Sequence, residues 1–226
     1  MTATSRCVLI GSGAGLDINH ADAIGTVAIG YQAGANITSG EYNTAVGFQA
    51  LLTGTTNNGD TAIGHSALRS LNKAGNSLNT AVGFQAGYNV TSGINNTLIG
   101  CNSGLDLTTG GNNVFVGKNS GANGTLAGQN VVIGFDAGSG DNGGTAWEGD
   151  YNVVNGHDAG QDMEGNASNH NTYVGFEAGT SSTTGATNTL IGSYAGGTLT
   201  TGTNNVLIGY SAVSYTHLTL PTIYSV

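Results

Sequence analysis

The side chains that could do chemistry are concentrated in one stretch of the chain. Eight of the thirteen acidic residues lie between positions 136 and 177, with no Lys or Arg among them. An insertion at 139–150 carries Asp141, Trp147, Glu148 and Asp150, and it predicts a protruding loop that binds a receptor or Ca²⁺, because Ca²⁺ is held by carboxylate oxygens. A solvated loop whose charge supplies solubility explains the same residues. The segment also lacks the Gly-Gly-x-Gly-x-Asp repetition of calcium-binding β-rolls.

No arrangement typical of catalysis is present in the sequence. Two of the five histidines, His65 and His157, replace an aromatic residue at one position of a repeated motif, which favours a surface role over metal ligation. The remaining histidines are His20, His170 and His217. The stretch Gly11-Ser12-Gly13 is a weak phosphate-loop signal, because no helix follows it to supply a dipole. The sequence therefore predicts neither an enzyme nor a bound cofactor, and it assigns no residue as a metal ligand.

Composition excludes several further classes of protein. Of 226 residues, 40 are Gly, only 8% are charged, and the net charge is −9. This acidic balance argues against nucleic-acid binding, which needs Lys and Arg to neutralise phosphates. No apolar run approaches the roughly 18 residues of a membrane-spanning helix. A chain of this kind is either disordered or ordered through repetition.

A pentapeptide, Asn–(Thr/Val)–apolar–(Ile/Val)–Gly, recurs along the chain. This repetition indicates an ordered repeat protein and not a disordered chain. Twelve copies are present, most often 17 residues apart. They end at the motif glycines Gly11, Gly30, Gly47, Gly64, Gly83, Gly100, Gly117, Gly134, Gly156, Gly175, Gly192 and Gly209. Among the copies that open with the motif asparagine are those that begin at Asn43, Asn79, Asn96, Asn113, Asn130, Asn188 and Asn205.

The repeat predicts an all-β parallel β-solenoid (a β-roll) of about twelve 17-residue coils. The pentapeptide is rich in β-branched residues and reads as a strand. The second half of each unit, as in Ile37-Thr38-Ser39-Gly40, reads as a weaker strand between turns. Coils stacked about 4.8 Å apart make a rod of roughly 55–60 Å. Helices are nearly excluded, because a 3.6-residue apolar period is absent.

Alternation along the strand assigns each motif position to a face. Thr44 and Val46 point to one side and Ala45 to the other. The position of Val46 is β-branched in eleven of twelve copies, so we expect it inside the coil. The position of Ala45 is also always apolar, which predicts a second stripe buried against another copy of the chain. The motif asparagines should stack as an amide ladder.

The (Asn)–x–(Val/Ala)–(Ile/Val)–Gly–x–x–(Ala/Ser) units resemble the head repeats of trimeric autotransporter adhesins. The longer form Asn-Thr-Ala-Val-Gly-Phe-Gln-Ala-Gly, with its Thr-Thr-Gly second half, is similar to repeats of phage tail fibres. The resemblance covers Cys7 to Ala212. It implies a left-handed roll, a side-by-side homotrimer, and a location on a bacterial cell surface or a virion. The adhesin heads have a shorter coil, and no stalk or membrane anchor follows here.

The last fourteen residues break the repeat. Val213–Val226 contains the only Pro and resembles the translation of a sequencing-library adapter. We therefore expect one repeat domain over 1–212, a fragment of a longer protein, followed by a scar at 213–226. A capping strand is the alternative, since solenoids need caps.

Together these features predict a non-catalytic rod or head segment of an extracellular adhesin or tail fibre. Its expected partners are further copies of itself, most simply as a homotrimer, and a host-surface protein or glycan. The alternative is an ice-binding solenoid that uses stacked threonines. Thr44, Thr61, Thr80 and Thr97 would stack in this way, but Val114, Val131 and Val153 interrupt their ladder.

Overall fold

The computed structural model describes residues 6–18, 23–140 and 146–212. Within these ranges the chain is an all-β parallel β-solenoid without a helix, as the sequence predicted. The expected scar at 213–226 lies outside the described residues, as does Asp141.

Twelve of the fourteen strands form one sheet that runs the length of the rod. Its order is β1-β2-β3-β5-β7-β8-β9-β10-β11-β12-β13-β14, and all of its strand pairs are parallel. The strands are β1 Val8–Ile10, β2 Val27–Ile29, β3 Thr44–Val46, β4 Asn57–Asn58, β5 Thr61–Ile63, β6 Gly75–Asn76, β7 Thr80–Val82, β8 Thr97–Ile99, β9 Val114–Val116, β10 Val131–Ile133, β11 Val153–Asn155, β12 Thr172–Val174, β13 Thr189–Ile191 and β14 Val206–Ile208.

The coils stack in register, so that equivalent motif residues are neighbours. Leu98 of β8 lies beside Phe115 of β9, for example, and Ile99 lies beside Val116. The predicted second strand of each coil is present only where β4 pairs with β6. Elsewhere among the described residues this half is turn and bend that still bonds to the next coil, as in the Thr91 N–H to Thr108 O bond of 2.9 Å. Frequent Gly and tight curvature leave too short an extended run for a strand there.

The motif glycine lets successive coils approach closely at the end of each strand. All twelve have φ between +124° and +150°, a region that residues with a Cβ rarely adopt. A Cβ on Gly30 would lie 2.5 Å from the carbonyl oxygen of Gly47 in the next coil. The glycines therefore form a column that only glycine can occupy.

The core contains the middle residue of each strand, and the sequence-based assignment of the two faces is wrong. Ala45, Leu98, Phe115 and Tyr173 are fully buried, whereas Ile99, at the position equivalent to Val46, is 39% exposed. The position predicted to pack against another copy is therefore the interior. The position predicted to be interior faces outward.

The volume of the core explains why the middle residue of each strand points inward. In two of the four coils whose middle strand residue is Ala, a leucine four residues after the motif glycine fills the space, as Leu51 does beside Ala45. Gly34 and Gly87 hold that position in the other two coils. Where the middle residue is Phe115, that position is Gly121, and a Cβ there would lie 2.5 Å from the Phe115 ring. Close packing of a narrow interior demands such compensation.

Candidate functional site

The insertion at 139–150 does not present its tryptophan to solvent. Trp147 is fully buried, and its ring centroid lies 6.2 Å from that of Phe115. Its backbone bridges Gly124 and Gly165 of the neighbouring coils. The prediction that Trp147 lies on a protruding loop is therefore wrong, because the indole fills the core space beside Gly124, where other coils carry Ile37, Val90 or Leu107.

The Asp150 carboxylate at the end of this insertion is bonded to the coil. One carboxylate oxygen of Asp150 accepts the Gly128 N–H at 2.7 Å, and the Asp150 N–H donates to the Asn169 side chain at 2.7 Å. Glu148 is half-buried. In the described ranges, no three His, Cys, Asp or Glu side chains converge as metal ligands would. Receptor or Ca²⁺ binding by this loop stays a prediction.

The motif asparagines form a buried ladder that ties each coil to the next. Asn113 is fully buried, and its Nδ2 donates to Asn96 Oδ1 at 3.0 Å and to the Ala127 carbonyl at 2.8 Å. Its Oδ1 accepts the Asn130 N–H at 3.0 Å. Asparagine suits this position because its amide both donates and accepts. Equivalent bonds join Asn79 to Asn96 and Asn188 to Asn205.

Asp60 is a carboxylate in this ladder, and the sequence pattern did not reveal it as a buried group. It is fully buried and accepts hydrogen bonds from the Asn57 amide at 2.6 Å, the Ser77 hydroxyl and the Asn79 N–H. Burial raises the pKa of Asp60 above its usual value, because desolvation of the charge outweighs these hydrogen bonds. Within the described chain, Asn57 Oδ1 is buried without a hydrogen-bond partner.

We expect Asp60→Asn to stabilise the rod at neutral pH by about 1–3 kcal/mol. A rotated Asn57 amide would offer its unpartnered Oδ1 to the new side chain. Because the folded-state pKa of Asp60 is raised, its protonated form favours folding; this contribution is complete below the ordinary Asp pKa and is lost as pH rises through the raised value. The difference in unfolding free energy between variant and wild type should therefore grow with pH, as urea titrations at several pH values can measure. A difference independent of pH would contradict this assignment.

The outward side of the main sheet is a continuous uncharged surface. We call the first and third residues of its twelve strands the outer face. The first residue is always Thr or Val, and the third is always Ile or Val except at Asn155. Ile63, Ile133 and Ile191 on this face are 38–39% exposed. Eleven of the twelve third residues are Ile or Val, and this apolar column indicates a contact surface.

Rings border the outer face at eight of the twelve positions that directly follow a motif glycine. Tyr31, Phe48, His65 and Phe84 stack in sequence with centroids 4.9–5.2 Å apart. A second group comprises Phe135, His157 and Phe176. Each ring covers the face of its neighbour and leaves an edge to solvent. The column therefore offers little ring face on which a sugar could stack.

On another side of the rod, an open groove of about 310 Å³ lies near the last described coils. Glu177, Tyr194 and the hydroxyl-bearing residues Thr180, Thr198 and Ser211 line it. Gly197 leaves this space open, because it has no side chain to fill it. A carboxylate among hydroxyls can bind the hydroxyl groups of a small ligand.

The part of the chain that the structure describes contains no helix long and apolar enough to cross a membrane. Comparison of the sequence with protein-family models, curated proteins and solved structures finds no match.

Proposed function

We propose that this chain is a structural segment of an extracellular fibre, either an adhesin or a phage tail fibre, in which three copies pack side by side. The outer face is the observation that carries the proposal. Of its 24 positions, 23 are β-branched and none is charged. In this proposal the chain performs no chemistry. It is a stiff rod that holds receptor-binding loops away from the surface that bears it.

The size of the outer face supports association of copies. Twelve strands about 4.8 Å apart span about 53 Å, and the face with its aromatic border is about 13 Å wide, so its area is about 700 Å². The largest apolar patch of a typical monomer is about 300–600 Å². Stable interfaces bury about 800 Å² on each partner. An uncharged face of this extent supports contact with further copies of the chain.

The number of copies and the location of the fibre come from the resemblance of the repeats to adhesin heads and tail fibres. Three parallel copies would present each loop three times. Weak contacts to a host-surface protein or glycan would then add by avidity, because the second and third contacts become intramolecular.

Ice binding is the second candidate, and one observation favours it. The first residue of each main-sheet strand faces outward, so Thr44, Thr61, Thr80 and Thr97 form an accessible ladder about 4.8 Å apart. Val114, Val131 and Val153 occupy the same column further along. Thermal hysteresis in a freezing assay would favour this candidate over the fibre.

Light scattering after size-exclusion chromatography tests the fibre proposal. The full chain at micromolar concentration should have three times the 22.4 kDa mass of the monomer. Ile99→Asp/Ile133→Asp should yield monomers, because each copy would bury two unpaired carboxylates.

The matched control is Leu16→Asp/Leu126→Asp, which places the same charges at exposed leucines outside the outer face. This control should stay trimeric. A monomeric wild-type chain would contradict the proposal, and so would equal dissociation of both variants.

A further inference from the structure

The third-residue column of the outer face contains a single polar side chain. Asn155 ends β11, between Ile133 of β10 and Val174 of β12, in a column that is otherwise Ile or Val. We propose that Asn155 fixes the axial register of neighbouring copies of the chain. This inference rests on the proposed side-by-side association.

The surroundings of Asn155 leave its amide available to another copy. The residue is exposed, and the middle residue Val154 beside it points into the core. Among the residues that the structure describes, the Asn155 side chain has no hydrogen-bond partner. It thus differs from the motif asparagines, whose amides are buried and bonded within the chain. Asn155 therefore contributes nothing evident to the stacking of coils.

A repetitive rod needs one distinguishing side chain to set its axial register, because its coils present nearly identical surfaces to a neighbouring copy. Sliding one copy by a coil, about 4.8 Å, would place Ile against Val along nearly the whole column. Flat and uniform surfaces specify register weakly. Apolar contact alone would therefore allow several slipped assemblies.

The Asn155 amide makes the in-register assembly more stable than the slipped assemblies. In the parallel, in-register arrangement the equivalent amides lie at one axial level and can hydrogen-bond with one another. A slip of one coil sets each amide against Ile133 or Val174 and leaves its polar atoms buried and unpaired, which is costly. One buried Asn sets the register of coiled coils on the same physical ground.

Disulfide cross-linking between two chains of different size can measure the register. The background is the full chain with Cys7→Ser and Cys101→Ser, the two free thiols of the structure. One chain carries Ile99→Cys. The larger, tagged chain carries Cys at position 99, one coil away at 82 or 116, or two coils away at 63 or 133. A disulfide requires Cα atoms within about 7 Å, so yield falls steeply with axial offset.

With Asn155 present, the 99–99 product should exceed each two-coil product by at least tenfold. Asn155→Val should reduce that excess to less than threefold while the assembly persists. Asn155→Val/Val46→Asn moves the amide to another coil and should restore the excess, which a purely structural role of Asn155 would not do.

Light scattering of the same samples separates two kinds of failure. Trimers whose cross-linking profile is unchanged by Asn155→Val, or not restored by the shifted Asn, would overturn this inference alone. Monomers throughout would overturn the proposed association, and this inference with it.

Discussion

Gly175→Ala is expected to destabilise the rod by about 3–5 kcal/mol. Gly175 has a φ of +140°, and a Cβ there would lie 2.5 Å from the carbonyl oxygen of Gly192 in the next coil. The obstacle is backbone, so no rotation of a side chain can relieve it. For a chain of this size the melting temperature should fall by about 10 °C or more, as calorimetry can measure.

Gly165→Ala is the matched control, because Gly165 has a positive φ of +57° but nothing lies within 4 Å of the place that a Cβ would take. Only the conformational cost of the left-handed backbone remains there, about 1–2 kcal/mol. Equal losses at the two glycines would contradict the close approach of stacked coils.

Asn113→Ala is expected to cost about 2–4 kcal/mol. The truncation removes the acceptor of the Asn130 N–H and the side-chain donor to the Ala127 carbonyl, and both groups are in the buried part of the coil. The methyl group of Ala neither donates nor accepts, so both buried partners lose a hydrogen bond. Chemical denaturation of the variant measures the loss.

Asn95→Ala provides the comparison for this substitution. Asn95 is exposed, and its amide reaches only the neighbouring exposed Asn112 at 3.2 Å. Asn95 has a positive φ of +57°, which Asn tolerates better than Ala, so we expect a loss of about 1 kcal/mol there, well below that at Asn113. If Asn95→Ala and Asn113→Ala cost the same, the buried ladder does not stabilise the stack.

The fold class could be predicted from the sequence because the signal is periodic. Glycines such as Gly100 and Gly117 recur at 17 residues, and each strand of the main sheet ends one residue before one of them. Stacking in register follows from that spacing. The fold class could therefore be predicted without knowing the conformation of any single coil.

The direction of the side chains could not be predicted from alternation alone. Alternation separates Ala45 from Val46 but does not say which of them faces the interior. The informative signal was the volume compensation between strand and turn: Leu51 occurs with Ala45, and Gly121 occurs with Phe115. The constancy of the Val46 position reflects an outward surface of uniform chemistry, which single-strand reasoning mistook for a core.

The candidate sites were predicted less well, for two reasons. Trp147 was assigned to a loop because it lies in an insertion, yet Gly124 in the preceding coil leaves the core space that the indole fills. Asp60 was overlooked because an acid in place of the motif asparagine looks like surface variation. Its burial depends on Asn57 and Ser77, which approach it only once the coils are stacked.

Scalar couplings across backbone hydrogen bonds test the in-register stack most directly. In NMR spectra of the labelled full chain, the Thr97 amide nitrogen should couple to the Asn113 carbonyl carbon, and the Gly100 nitrogen to that of Val82, since both N···O distances are 2.8 Å. Matching couplings should recur from coil to coil. Couplings between residues four apart, or between strands running in opposite directions, would contradict the solenoid and everything inferred from its faces.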